Sequence, residues 1–375
     1  IQAAYFAGFL IGSRLAARAV SEVGHIRVFA ALASTASSAA LVHALFVSAP
    51  TWAAVRFVTG LCMAGLFVVV ESWLNGQATN ENRGRVLAVY MVVSMGGLGF
   101  GNMLLGAADP TGFRLFALAS VLISMALVPV TLSATTSPPQ VPSYSPMSVR
   151  ALFDQAQIGI VLALFVGMSH GVLLGLGPVY AGLVGLGTTQ LSWFVGLPIL
   201  GAVVLQWGIG AVSDRVSRRV VIAAVASCAV GAALVAGWMG HEGVGIVTLT
   251  AVFVLGAFSF PLYGLTIAYT NDFLDHSQRI GAGTTLIAVN GVGAVVGPLA
   301  GGAAMQAWGA SWFFVALVAT HGMIAIYLLV RILARRPRPE MQEPWEPVPP
   351  RSSGMIEELL GPDSDLEPAE WHASG

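Results

Sequence analysis

"GIGAVSDRVSRR", residues 208–219, sets one acid and three arginines at the end of an apolar run. In a chain of 375 residues that is 56% hydrophobic and only 9% charged, so dense a cluster needs a cause. Soluble domains carry about 25% charged residues. A mean hydropathy of +0.79 with 44 glycines therefore describes an all-α polytopic membrane protein, and the cluster is a turn between two spans.

Working outward from that turn, apolar runs long enough to cross a hydrocarbon core, which takes roughly 20 helical residues, recur along the chain. They lie at about 1–20, 27–48, 51–75, 86–107, 112–132, 157–181, 190–212, 220–239, 244–270, 281–306 and 311–333. Backbone groups in lipid have to be satisfied within their own segment, so these runs are expected to be helices. The first is the weakest, because Arg14 and Arg18 lie in it.

"SATTSPPQVPSYSPMSVR" (133–150), rich in proline and serine, divides the chain. The expected organisation is an N-terminal bundle (1–133), a cytoplasmic linker (134–156), a C-terminal bundle (157–333) and a disordered acidic cytoplasmic tail (334–375). The tail holds half of the 18 acids, which hides an asymmetry behind the net charge of -1. All 17 basic residues are arginine. Without lysine, neither a phosphate-binding P-loop nor a pyridoxal Schiff base can be built. Cys62 and Cys228 stand alone in separate apolar runs and read as buried small hydrophobes rather than metal ligands. No cofactor, metal or nucleic-acid partner is implied; the expected partners are the lipid bilayer and a small-molecule substrate, with protons as candidate coupling ions and a monomer as the assembly.

The arginines orient the chain. Arg18 and Arg27, Arg83 and Arg85, Arg150, the 215–219 cluster, Arg279, and Arg331 to Arg338 fall on alternate connections of one side, and little beyond Arg114 falls on the other. The positive-inside rule makes the arginine-bearing side cytoplasmic. The linker and C-terminus are then inside and residue 1 outside.

An internal repeat follows. A shift of 196 superposes Asn75 on Asn271, Arg83 on Arg279, Gly97 on Gly293 and Gly101 on Gly297; a shift of 193 lays 17–24 over 210–217. The run 157–181 finds no earlier counterpart, so the expectation is a six-plus-six protein whose first helix is absent here.

In that setting "GIGAVSDRVSRR" resembles the cytoplasmic loop signature of the major facilitator superfamily. "RFVTGLCMAG" (56–65) resembles its second motif and "GVGAVVGPLAGG" (291–302) its glycine-proline motif. "ESWLNGQATNENRGRVLAVYMVV" (71–93) is similar to the YcaD-type permeases of bacteria. The resemblance covers about residues 1–333. It implies two bundles rocking about a central site, and a cytoplasmic latch formed by Gly210, Asp214, Arg215, Arg218 and Arg219, with Arg83 and Arg279 on neighbouring loops. The N-terminal copy departs from it, with Ser21 and Glu22 in place of aspartate and arginine.

Physically, Gly210 permits close helix approach, and Asp214 can accept from the amides of a helix N-terminus. Arg215 is expected to pair across the halves, with Glu71 or Asp275 among the acids available to the cluster. Arg218 and Arg219 chiefly fix topology. Gly97, Gly101, Gly293, Gly297 and Pro298 read as helix-packing positions. Polar groups inside spans are costly and become site candidates. Arg56 and Glu71 are candidates for coupling or gating; Tyr90, His170, Trp193, Gln206, Tyr263 and Asn290 are candidates for the substrate cavity. For each of these, helix-to-helix packing is the competing reading.

The functional expectation is a secondary transporter of a small organic solute in the bacterial inner membrane, gradient-coupled or facilitative since no ATP motif is present. The alternative is a membrane-embedded sensor or enzyme. It is disfavoured because Ser169-His170 has no neighbouring acid, no zinc spacing occurs and the loops are short.

Overall fold

The computed structural model describes residues 1–77, 83–109, 112–132, 147–240, 243–274 and 276–334. The expected acidic tail and most of the expected linker lie outside the described residues, as does Asp275. Regular structure within them is helical: α1 (Gln2–Val23), α2 (His25–Leu45), α3 (Ala49–Gln77), α4 (Arg83–Met103), α5 (Phe113–Thr131), α6 (Val149–Leu183), α7 (Thr188–Ser213), α8 (Arg218–Gly240), α9 (Ile246–Ser259), α10 (Pro261–Asn271), α11 (His276–Trp308) and α12 (Trp312–Ala334), with one 3-10 turn at Leu104–Ala107. Among the described residues nine segments are long and apolar enough to cross a membrane. The helix α1, with Arg14 and Arg18, is not one of them, and neither is α4, which begins at Arg83.

The sequence read 244–270 as one helix, and the structure interrupts its hydrogen bonding at Phe260, whose backbone stays helical (φ -65, ψ -38). Pro261 has no N–H to give and its ring displaces the preceding turn, so α9 ends at Ser259 and α10 restarts at Pro261. The two still cross together as one segment, Ile246–Asn271. The helix α6 begins before the expected span: Ser148 Oγ accepts from the Ala151 amide at 3.1 Å, and the backbone leaves helical geometry at Ala156 (φ -132, ψ 54). The span read from 157 thus starts at a kink within a longer helix.

Packing repeats between the halves with the offsets seen in the sequence. A Cβ on Gly8 of α1 would lie 1.9 Å from the Phe57 carbonyl oxygen of α3, and one on Gly201 of α7 would lie 2.2 Å from the Phe253 oxygen of α9. Gly60 meets the Tyr5 backbone as Gly256 meets that of Pro198. These crossings exist because small residues let two backbones touch. Buried clusters support each half, one around Val28, Phe29, Ala33 and Val69, the others around Leu162, Ile222 and Leu265 and around Phe194, Leu255 and Phe313.

The halves meet along α1 with α11 and along α4 with α7. At the first seam a Cβ on Gly291 would lie 3.1 Å from the Leu10 side chain, and one on Gly175 of α6 would lie 3.4 Å from Gln2. At the second, Asn102 faces Gly196 and Ser192 faces Gly106.

Candidate functional site

A cavity of about 50 Å³ lies where α1, α6, α10 and α11 converge. Phe6, Phe9 and Ser13 of α1 form one wall, His170 and Leu174 of α6 another, and Tyr263 and Asn290 complete it. That volume holds a few water molecules, well below the several hundred cubic ångströms usual for organic ligands.

Three of the six expected cavity residues, His170, Tyr263 and Asn290, line this space, and the other three lie elsewhere. Tyr90 of α4 is buried and donates its hydroxyl to Glu71 Oε1 of α3 at 2.8 Å. Trp193 is 47% exposed on the outer surface of α7, and Gln206 is buried on the same helix. Arg56, on α3, is half-buried.

Polar contacts hold the cavity walls in place. The Asn290 Nδ2 group of α11 donates to the Ala163 carbonyl of α6 at 3.1 Å, and Ser13 Oγ donates to the Leu10 carbonyl at 3.0 Å. His170 Nε2 lies 3.1 Å from the Ser259 carbonyl oxygen, which can only accept, so this nitrogen carries the proton. Ser259 closes α9 at the helix break. There the Tyr263 amide, the normal i+4 partner of its carbonyl, lies 3.4 Å from the Phe260 carbonyl instead. Behind it sits His321 of α12, fully buried, with Nδ1 donating to the Leu317 carbonyl at 2.8 Å and Nε2 accepting from Ser259 Oγ at 2.9 Å. A string His321–Ser259–His170 thus runs from α12 through the helix break to the cavity. Sequence reasoning passed over Ser259 and His321. The available signal was a histidine inside the apolar run 311–333 and a serine two residues before a proline.

The arginine-rich turn is built around Arg218. That side chain is 2% exposed and bonds Asp272 and, at 3.1 Å, the Ala268 carbonyl, both at the C-terminal end of α10, as well as Asp214 at 3.2 Å. Arg219 donates from Nε to the Tyr269 hydroxyl at 2.8 Å, and its guanidinium lies 5.5 Å from the Tyr269 ring centre and 5.7 Å from that of Phe273. Asp214 closes α7, with its own amide bonded to the Gly210 carbonyl, and Arg215 is exposed. The contacts described for this turn therefore tie α7 and α8 to α10 within one half. They run through Arg218 and Arg219, the pair that sequence reasoning assigned to topology, while Arg215, expected to pair across the halves, lies at the surface. Glu71, named as a partner for the cluster, is wholly buried beside Tyr90. Arg279 is half-buried at the start of α11; the Arg83 side chain lies outside what is described.

Gly293 and Gly297 lie on the α6–α11 crossing, where added Cβ atoms would come within 2.1 Å of the Leu164 oxygen and 2.3 Å of the Met168 oxygen. Pro298 flanks Gly171 on the same crossing. Gly97 and Gly101 of α4 face open space. No cluster able to hold a metal ion occurs among the described residues.

This architecture has close relatives in sequence and in shape. The chain matches the Major Facilitator Superfamily over residues 1–276 and again over 160–364. It is 25% identical over 333 residues to the Uncharacterized MFS-type transporter YcaD of Escherichia fergusonii, covering 88% of this chain and 85% of that protein. It is 24% identical over 341 residues to YcaD of Shigella flexneri, covering 90% and 87%. Its fold is similar to the crystal structure of the nucleoside transporter NupG, with a TM-score of 0.70 at 10% identity over 88% of this chain and 90% of that one. It is also similar to the human organic anion transporter MFSD10, with a TM-score of 0.56 at 16% identity over 87% and 82%. The relatives point to a transporter rather than an enzyme. With a family match over most of its length and two helical halves meeting at a central cavity, the chain belongs to the Major Facilitator Superfamily and is a multi-pass membrane transporter.

Proposed function

We propose that this protein is a secondary transporter that moves a small organic solute by alternating access. The observation that carries the reading is the cavity between the halves, lined from α1 on one side and from α6, α10 and α11 on the other. A site on such a seam is exposed to either face in turn when the halves rock, with no need for the solute to cross lipid. The small volume of the cavity fits a state in which the walls have closed in. The arginine-bearing turns and the C-terminus face the cytoplasm of the bacterial inner membrane in this reading, and the working unit is a monomer.

Coupling to protons is assigned to Glu71. It is wholly buried on α3 and receives the Tyr90 hydroxyl from α4. A buried carboxylate is costly as an anion, so taking up a proton changes how strongly it holds Tyr90, and with it the contact between α3 and α4. Reconstitution into proteoliposomes tests both parts. Counterflow of a solute without any imposed gradient is expected for the native chain. Glu71→Gln should keep counterflow and lose accumulation driven by an inward proton gradient. Absence of counterflow for every solute that the protein binds would refute transport, and accumulation by Glu71→Gln at the native level would remove Glu71 from coupling.

A further inference from the structure

We infer that Tyr90 closes the arginine-bearing side of the seam between the halves, with its ring seated in the core of the C-terminal half and its hydroxyl held by Glu71. This assignment rests on the alternating-access reading for the rocking of the halves, and it names the side chain that shuts one face.

Tyr90 lies about two turns into α4 from Arg83. It belongs to the N-terminal half, yet among the described residues the other buried members of its hydrophobic cluster all lie between Leu152 and Leu328. Leu152, Ile222 and Ala282 are among them, near the ends of α6, α8 and α11 that carry Arg150, Arg218 and Arg279. Ile209, on the arginine-bearing part of α7, packs around the same cluster. The hydroxyl is held from the other half, since it donates to Glu71 Oε1 of α3 at 2.8 Å. Tyrosine suits such a place because its body is apolar and its tip is polar. Glu71 and Tyr90 belong to one half, so their bond can survive the parting of the halves and keep the ring aimed at the seam.

The same helix touches the C-terminal half a second time. About 18 Å further along α4, Asn102 faces Gly196 of α7, and nearby Leu98 packs against the other cluster of that half, around Phe194. Those contacts use half-buried side chains, whereas the one at Tyr90 buries a ring. When the halves part on the arginine-bearing side, a side chain that buries roughly 150–250 Å² leaves its cluster. When they part on the other side, it stays. A contact made in one state alone shifts the balance between the states by its own free energy, so Tyr90 favours the form closed at the arginine-bearing side.

The test is pulsed-EPR distance measurement on the full chain in lipid nanodiscs. Spin labels are placed through Glu22→Cys and Arg215→Cys, exposed positions on the arginine-bearing turns of the two halves. Cys228→Ser removes the exposed native thiol, and Cys62 is buried. Tyr90→Ala is expected to raise the ratio of long to short distances about tenfold or more, as loss of a buried aromatic contact present in one state does. Tyr90→Phe, which keeps the ring and loses the tether, is expected to fall between Tyr90→Ala and the native chain. Val93→Ala, on the exposed face of α4, is expected to leave the ratio as it is. Should Tyr90→Ala not fold, Tyr90→Leu takes its place, with a smaller shift in the same direction. A ratio unchanged by Tyr90→Ala or Tyr90→Leu, a Tyr90→Phe chain as open as Tyr90→Ala, or an equal shift from Val93→Ala would each overturn the assignment. No solute enters this measurement, so the two readings fail separately. A Tyr90-dependent shift without counterflow of any bound solute upholds the closing residue and sinks transport, whereas counterflow with an unchanged ratio upholds transport and sinks the closing role.

Discussion

The helices α4 and α11 carry the same glycine spacing at a shift of 196 residues and meet opposite surroundings. On α11, Gly293 and Gly297 lie against backbone oxygens of α6, so close that a single methyl group would force the helices apart. On α4, a methyl group on Gly97 or Gly101 would meet nothing within 4 Å. Small residues mark a helix that is able to pack closely; the neighbour that uses this ability has to be supplied by the tertiary arrangement. Glycine spacing alone is thus a statement about capacity, and contact is decided elsewhere.

The turns α1–α2 and α7–α8 teach a second version of the same lesson. Arg218 at the start of α8 and His25 at the start of α2 are related by the 193-residue shift, and each reaches the C-terminal part of a partner helix. Arg218 takes the Ala268 carbonyl and Asp272, whereas His25 takes the Ser72 hydroxyl. One half joins these elements by a buried ion pair and the other by a neutral hydrogen bond.

Breaking the ion pair is expected to have the largest effect. Arg218→Gln leaves Asp272, 1% exposed, without its guanidinium, and removal of one member of a buried pair costs about 3–5 kcal/mol. Thermal unfolding in detergent should show this, and Arg218→Met combined with Asp272→Leu should recover most of the loss. Should Arg218→Gln alone prove neutral, the turn does not depend on this pair.

The glycine comparison comes next. Gly297→Ala is expected to lose about 1–3 kcal/mol through overpacking against Met168, while Gly101→Ala stays within about 0.5 kcal/mol of the native chain, as substitutions without neighbours do. Equal effects at the two sites would erase the distinction drawn between α4 and α11. Of similar size, His25→Ala leaves the Ser72 hydroxyl buried without its ring partner, a cost of about 1–3 kcal/mol. A smaller loss than that of Arg218→Gln under the same assay supports the contrast between a charged and a neutral joint.

The smallest effect is expected at the rim of the arginine cluster. Asp214 keeps 30% of its side chain exposed, so Asp214→Asn should cost no more than about 1 kcal/mol and become undetectable at high salt. Arg215→Gln, on an exposed side chain, should fall below that. A larger loss for Arg215→Gln than for Arg218→Gln would place the working contact of this turn on the exposed arginine.

Much of the architecture was legible because the bilayer restricts the possible answers. A long apolar run with no water to satisfy its backbone has to be helical, so most of the spans, though not those of α1 and α4, followed from hydropathy, and the repeat followed from the offsets of Gly97, Gly101 and Arg83. The break at Ser259–Pro261 was harder to read, since a proline inside an apolar run either kinks a helix or ends it, and neighbouring helices decide which. Which polar groups line the cavity was legible in part for a similar reason. His170, Tyr263 and Asn290 stood out as polar groups in spans, but so did Tyr90, Trp193 and Gln206, which lie outside the cavity.

The sequence by itself determined an all-helical membrane protein, its internal repeat and its arginine-rich turns, because hydropathy and charge act locally and add up along the chain. Only the tertiary structure decided which polar groups share a cavity, which glycines touch a neighbour and which arginine in "SDRVSRR" is buried. Those outcomes depend on how far each helix is rotated about its own axis and on what stands opposite. A rotation of about 100° per residue carries adjacent residues to different faces, so the direction a side chain takes is settled only when its neighbours are in place.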